Sequence, residues 1–257
     1  MCLILFACHQ HKDYPLIVAA NRDEFYSRST APASFWPESP HVLAGCDRHL
    51  GGTWFGITRQ GRFAALTNYR EPDREKDHLG SRGVLVRDYL LSKEDTGDWL
   101  AGLSRNDRNV KGFNLVVGSA EGLFYHSNRG APPRSLSPGI YGLSNQLLDT
   151  PWPKVVRSKK AFAEHVGRPD VSEADLFSIL ADTEQAPDAL LPDTGIGLRR
   201  ERLLSSPFVL SSDYGTRSST LLFCRRDGQV RFVERTFFSR TGPEQWMERT
   251  FSFLRDQ

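Results

Sequence analysis

A cysteine stands second in the chain, in the opening string MCLILFACHQ. With Met1 removed, Cys2 would carry a thiol and a free α-amine on one residue. An α-amine near pKa ~8 and a thiol near ~8.5 exchange a proton at little cost, so the amine can act as base for its own side chain. The alternative is a small apolar residue opening a buried strand. A second string, AANRDEFYSR at residues 19–28, bunches charged side chains behind an apolar run. Polar groups gathered at a strand's end can line a site, although a solvated turn has the same look. Three more strings repeat the arrangement: AALTNYRE (64–71) with Asn68 and Arg70, YGLSNQLLDTPW (141–152) with Ser144 and Asn145, and SSDYGTRSST (211–220) with Arg217. Asparagine suits strand ends for backbone reasons alone, so each string is weak by itself. Together with a second-position cysteine they describe a site.

These groups need strands to hold them. Leu3–Cys8 and Leu16–Ala20 read as buried strands joined by a turn at His9–Pro15. Residues 27–50 read as loop, with Pro32, Pro37 and Pro40 as breakers. Hairpins are expected for Trp54–Thr58 with Arg62–Asn68 across Gln60-Gly61, and for Phe113–Gly118 with Leu123–His126 across Ala120-Glu121-Gly122. Another is expected for Ser218–Arg226 with Gln229–Phe237 across Asp227-Gly228, a strong two-residue turn signal. Tyr141–Ser144 reads as a short strand, and Arg217 falls just before one. Ser81 can cap a helix carrying Val84, Leu85, Tyr89 and Leu90. Thr150-Pro151 starts a second helix, and Ser172 with Asp175 starts a third. Residues 183–206 form a long polar insertion. Strands at both ends with helical blocks between them give an α+β pattern, unlike a doubly wound fold. One domain spanning 1–257 is expected.

Composition narrows the function classes. The chain has 257 residues, 39% hydrophobic and 25% charged, as in ordinary globular proteins. Its 33 basic and 31 acidic residues leave a net charge of +2, so nothing pulls it as a whole toward nucleic acid. KDHLGSRGVLVR is mixed in charge and reads as a helix start. Cys2, Cys8, Cys46 and Cys224 show no CxxC spacing, which argues against a zinc or dithiol site; Cys8 and Cys224 read as core. The apolar run Leu3–Ala7 is too short for a membrane span or a secretory signal. A cytoplasmic protein with reduced thiols and no integral membrane segment is expected.

The strings MC, AANRDEFYSR, GGTWFGIT, AALTNYRE, GFNLVVG, SNRG, YGLSNQLLDTPWPK and YGTRSST run nearly end to end through the chain. On them the sequence resembles the NRDE family, also called the Transport and Golgi organisation protein 2 family. The resemblance implies an Ntn-hydrolase-like αββα sandwich, two stacked and mainly antiparallel sheets flanked by helices. It also implies either of two activities. In cysteine-type Ntn amidases the residue after methionine is the nucleophile, so Cys2 would attack an amide. Asp23 would hold its amine, Asn68 and Asn145 would stabilise the oxyanion, and Arg217 would lie close to the sulfur. Asn21-Arg22-Asp23 resembles the Asn-x-Asp step of bile salt hydrolases and penicillin V acylases, but Ala20 stands where those enzymes carry arginine. Family members are also linked to heme trafficking and acyl-CoA binding.

On the second reading the same cluster holds an apolar acid without cleaving it. Arg22, Arg28, Arg70, Arg129 and Arg217 offer forks for carboxylate or phosphate, with Asn21 and Glu24 beside them. Trp54, with Trp36, Phe55 and Trp152, would line an apolar pocket. Heme, as a ligand, would want an axial group from Cys2, His9, His11, His49, His78 or His126. The expectation is a binding or trafficking protein for a heme- or acyl-CoA-like ligand, with a Cys2-dependent amide hydrolase as the alternative.

Overall fold

The computed structural model describes residues 3–72, 81–107, 110–238 and 242–256. The first half of the chain supplies strands β1 (Leu3–Cys8), β2 (Leu16–Phe25), β3 (Thr30–Trp36), β4 (Ser39–Asp47), β5 (Phe55–Thr58) and β6 (Phe63–Asn68). Helices α1 (Gly83–Leu91) and α2 (Thr96–Ser104) follow, then β7 (Phe113–Ser119), β8 (Gly122–Ser127), β9 (Arg134–Ser135) and β10 (Gly139–Leu143). Helices α3 (Pro153–Val166), α4 (Glu173–Leu180) and α5 (Leu198–Leu203) precede β11 (Tyr214–Cys224), β12 (Gln229–Phe237) and β13 (Trp246–Leu254).

The strands form two antiparallel sheets. One runs β10-β1-β2-β11-β12-β13 and the other β3-β4-β5-β6-β7-β8-β9. Strand alternation sorts their side chains into three apolar layers. Ile4, Phe6, Val18, Leu222 and Phe232 of the first sheet meet Phe55, Ile57, Phe63, Val116 and Leu123 of the second. Leu3, Leu5, Ile17, Ala19, Leu221 and Phe223 turn the other way, onto Val155 and Phe162 of α3 and Leu176 and Leu180 of α4. The outer face of the second sheet, with Val42, Ala64, Leu115 and Val117, packs on Val86, Tyr89 and Leu90 of α1 and Leu100 of α2. The expected αββα sandwich is therefore what the chain forms.

Local chemistry explains most elements and corrects several expectations. Residues 27–50 are a hairpin, not a loop. Pro37 sits in its turn, and Pro32 falls where β3 shifts register against β4, so no ladder hydrogen bond is lost. Strand β2 continues to Phe25, through the whole NRDE string, and β11 begins at Tyr214, so Arg217 lies inside a strand at a bulge. Helix α3 starts at Pro153 behind Trp152, two residues later than expected, because the Thr150 hydroxyl donates to the Leu147 carbonyl instead of capping. Ser172 does cap α4, accepting from the Asp175 amide at 3.3 Å. The 183–206 insertion carries a short 3-10 turn and α5. Strand β13 lies beyond the last expected hairpin.

Phe55 sits at the centre of the inter-sheet layer, its ring 5.3 Å from Phe63 and 5.7 Å from Phe232. Truncating it removes contacts to both sheets at once. Phe55→Ala is expected to cost about 3–5 kcal/mol, read as a fall in the urea midpoint at unchanged slope.

Candidate functional site

Asn21, Arg22 and Asp23 are polar yet buried, with Glu24 half-buried after them, and among the described residues β2 is paired on the β1 side only as far as Leu3. Leu3 stands opposite Asn21, and β11 runs the full length of β2. Alternation then divides the four side chains. Asn21 points to the helical layer. Its amide donates to the carbonyls of Leu180 (2.7 Å) and Pro207 (2.9 Å) and accepts from the Ser219 hydroxyl (2.5 Å). It ties β2 and β11 to the end of α4, and all of its polar atoms are engaged. Asp23 points the same way. Val209 N–H donates to the Thr216 hydroxyl oxygen (2.9 Å), whose proton goes to Asp23 Oδ1 (2.6 Å). Asp23 Oδ2 stays buried with no hydrogen-bond partner.

Arg22 and Glu24 point between the sheets, into a cleft of about 220 Å³ lined by Arg28, Asp47, Leu50, Trp54 and Asn68, with Arg82 and Lys111 at its far wall. The Arg22 guanidinium lies 4.1 Å over the Trp54 ring. That ring in turn rests on Gly45, where a Cβ would come within 2.6 Å of it. Glu24 reaches Arg22 at 3.8 Å and Arg28 at 3.7 Å, while Arg28 holds Asp47 at 2.6 Å. Arg22 is 4% exposed, and its Nη1 is buried without a hydrogen-bond partner. Burial pulls the Arg22 pKa down, and Arg217 and Arg28 add to this against the opposing charges of Glu24 and Asp47. Burial acts on Asp47 in the other direction, but the bonds from Arg28 and the His49 amide outweigh it and hold the carboxyl below its ordinary value. On the other side of the cleft, Gly52 (φ +92°) lets its turn touch the start of α1, where a Cβ would lie 2.5 Å from the Gly83 carbonyl carbon.

The remaining expected residues divide between this cleft and structural roles. Asn68 lines the cleft, and its carbonyl accepts from the Asn145 amide at 2.9 Å, so these two strand-end asparagines do meet. Arg217 adjoins the cleft near Arg22 but caps a turn, donating to the carbonyls of Phe25 (2.8 Å) and Arg28 (3.2 Å). Arg70 and Arg129 stand apart from it. Arg70 pairs with the buried Glu201 at 2.5 Å over Trp152, and Arg129 grips Glu71 through two bonds of 3.0 Å. Trp36 donates to the Ala44 carbonyl on the α1 side, and Phe55 is core, so Trp54 is the aromatic of that group that reaches the cleft. His11 is bonded to Arg168 O and the Asp13 amide, and His126 to Asp107. Cys2 and His78 lie outside the described residues. Asp47, Leu50, Arg82 and Lys111 were missed by the sequence reading, because they sit in segments without strand-end polar strings. Among the described residues no cluster of His, Cys, Asp and Glu could hold a metal ion, and no helix is long and apolar enough to cross a membrane.

The family model described as Transport and Golgi organisation 2 matches residues 1–239. The human Transport and Golgi organization protein 2 homolog is 39% identical over 275 residues, covering 98% of this chain and 99% of that one. The chain belongs to this family. The Drosophila melanogaster member is 28% identical over 278 residues, covering 96% and 95%. Two solved structures are similar at low identity. A Caenorhabditis elegans N-acylethanolamine-hydrolyzing acid amidase ortholog gives a TM-score of 0.49 at 12% identity, over 86% of this chain and 92% of that one. The C2A mutant of a conjugated bile acid hydrolase from Clostridium perfringens gives 0.48 at 9%, over 99% and 98%. At these scores neither bears on what the Transport and Golgi organisation chain does.

One further buried group in this family member faces the same inter-sheet space. Glu234 of β12 accepts from the Ala33 amide of β3 at 2.7 Å, and Arg249 of β13 donates to the Ala33 carbonyl at 3.2 Å. The register shift in β3 frees this peptide from its own sheet. Burial pushes the Glu234 carboxyl up from 4.5 to about 6, against the Ala33 bond and the charges of Arg22 and Arg249. A raised carboxyl favours the folded state below its unfolded pKa, and that contribution disappears as pH rises through the folded value. The gap from 4.5 to about 6 corresponds to about 2 kcal/mol. Glu234→Gln should flatten the pH 4.5–6.5 portion of the stability curve, measured by urea unfolding at half-unit pH steps.

Proposed function

We propose that the chain binds an apolar acid, heme- or acyl-CoA-like, with the acid group in the Arg22 cleft and the apolar body across its rim. The carrying observation is the Arg22 guanidinium, held against Trp54 with one nitrogen buried and unpartnered beside Arg28. A buried unpaired donor is costly, and an incoming oxyanion would satisfy it with a charge-assisted bond. At about 220 Å³ the cleft is below the ~300–1,000 Å³ of sites that enclose a whole small molecule. It therefore suits a head group. Leu50, 54% exposed on the rim, offers apolar surface to the rest. Titration of the whole chain with hemin and with palmitoyl-CoA tests this. Arg22→Met, which keeps the packing on Trp54, is expected to weaken whichever ligand binds by roughly ten- to hundredfold, the equivalent of about 1.5–3 kcal/mol. Failure of both ligands to bind below millimolar concentration would sink the reading.

A second reading, the Cys2 amide hydrolase, is favoured by Asp23. Its Oδ1 is fixed by Thr216 while Oδ2 remains buried and open. Leu3, the residue that follows Cys2 in the chain, pairs with Asn21, two residues from Asp23 on the same strand. The Asn145 amide gives one N–H to the Asn68 carbonyl and keeps a second, and Asn68 lines the cleft, so both remain candidate oxyanion donors. This reading requires that Met1 be removed. Intact mass spectrometry of the protein from its native cells decides: a wholly retained methionine excludes it. A processed chain should hydrolyse acyl amides and lose that activity in Cys2→Ala.

A further inference from the structure

A sandwich of two open sheets has four edge strands, each presenting a row of unpaired backbone groups, and stable monomers blunt such edges. Three are blunted here. Strand β9 has only two residues (Arg134–Ser135). Strand β3 contains Pro32 and two register shifts against β4. Strand β10 has five residues, and α3 packs so closely on it that a Cβ at Gly142 would lie 2.7 Å from Val155. Strand β13 is different. Its nine residues, WMERTFSFL, pair with β12 from Gln229↔Leu254 to Phe237↔Trp246 without a shift, and they include no proline. It ends its sheet, and it leaves large apolar side chains exposed: Trp246 at 40%, Met247 at 42% and Leu254 at 60%.

The strand is complementary to its own reverse. Set antiparallel to a second copy with Thr250 on the two-fold axis, Trp246 stands opposite Leu254, Met247 opposite Phe253, Glu248 opposite Ser252 and Arg249 opposite Phe251. Each exposed apolar side chain then meets an apolar one. No like charges meet, and Arg249 faces an aromatic ring. Opposed positions differ by even numbers, so each face of the sheet continues into the same face of its neighbour. Other registers that keep the faces aligned are worse. Centring on Glu248 or Arg249 sets like charges on the axis, and centring on Phe251 leaves Trp246 unpaired and places Glu248 against Leu254. We propose that the chain forms a symmetric dimer through β13, its partner a second copy, merging two six-stranded sheets into one of twelve strands.

Light scattering on the full chain across a dilution series tests this. The expected result is a dimer that dissociates on dilution. Thr250→Lys puts two ammonium groups on the axis and should give a monomer with an unchanged circular dichroism spectrum. Thr250→Cys should form an interchain disulfide on oxidation, since opposed Cβ atoms lie about 4.5–5.5 Å apart and a disulfide needs only a small approach. Ser252→Cys, whose opposite number is Glu248, and the unaltered chain should not cross-link. A monomer at every concentration overturns the proposal. So does a dimer that survives Thr250→Lys and fails to cross-link at position 250.

Discussion

Strand β2 is covered on both faces, and the rest of the molecule is arranged around that constraint. One face must meet the second sheet and the other must meet α3 and α4. A strand so placed ordinarily reads as continuous apolar sequence, as Leu16–Ala20 does. At Asn21, Arg22 and Asp23 the strand stays buried while its side chains become polar, before Glu24 and Phe25 come to the surface. Each of those side chains then needs a partner inside the protein, because water is not there to supply one. Asn21 finds carbonyls at the end of α4, Asp23 finds Thr216, and Arg22 finds the Trp54 ring face and, at 3.8 Å, the Glu24 carboxylate of its own strand. The partners were brought in by the chain's most distant segments, since Thr216 and Ser219 lie almost two hundred residues away in sequence.

The two-residue period gives the buried string two separate jobs. The Asn21 side of β2 locks the helical layer to the sheet through fully used hydrogen bonds. The Arg22 side opens on a cleft where positive charge is held in low dielectric by Trp54, Glu24 and, behind it, Glu234. Arg22 Nη1 and Asp23 Oδ2, on the two faces of this stretch, are left without a hydrogen-bond partner beside Leu3–Asn21, the last pairing of β1 with β2 among the described residues. Arg70 Nη2 and His126 Nδ1 also lack partners, but each of those groups is held close by a carboxylate, Glu201 and Asp107, whereas Arg22 meets Glu24 only at 3.8 Å and faces the cleft.

Toward the β13 edge of the first sheet the layers stay open. Phe251 and Phe253 are only partly buried, the helical layer does not extend over β13, and Glu234 with Arg249 reaches across to fasten β3. The molecule thus has one side where strand ends converge on charge and another where a sheet edge is free to continue.

Much of this was written in local pattern. Asp227-Gly228, Gln60-Gly61 and Ala120-Glu121-Gly122 turn the hairpins because their backbone preferences hold wherever they occur, and Ser172 caps α4 for the same reason. The apolar runs of β1, β6, β7 and β11 and the family strings were legible likewise. Sequence alone also marked Arg22, Glu24, Arg28, Trp54 and Asn68, which the fold does bring together. It could not show that the NRDE string is strand rather than turn, because polar residues carry no burial signal until a partner strand covers them. Nor could it separate Arg22 from Arg70 and Arg129. All three are arginines beside strand ends, and only tertiary contacts decide which guanidinium meets a carboxylate from a remote segment and which is left facing a cleft. Proline spacing misread 27–50 for a related reason: an edge strand tolerates proline, and whether a strand is an edge is a property of the assembled sheet.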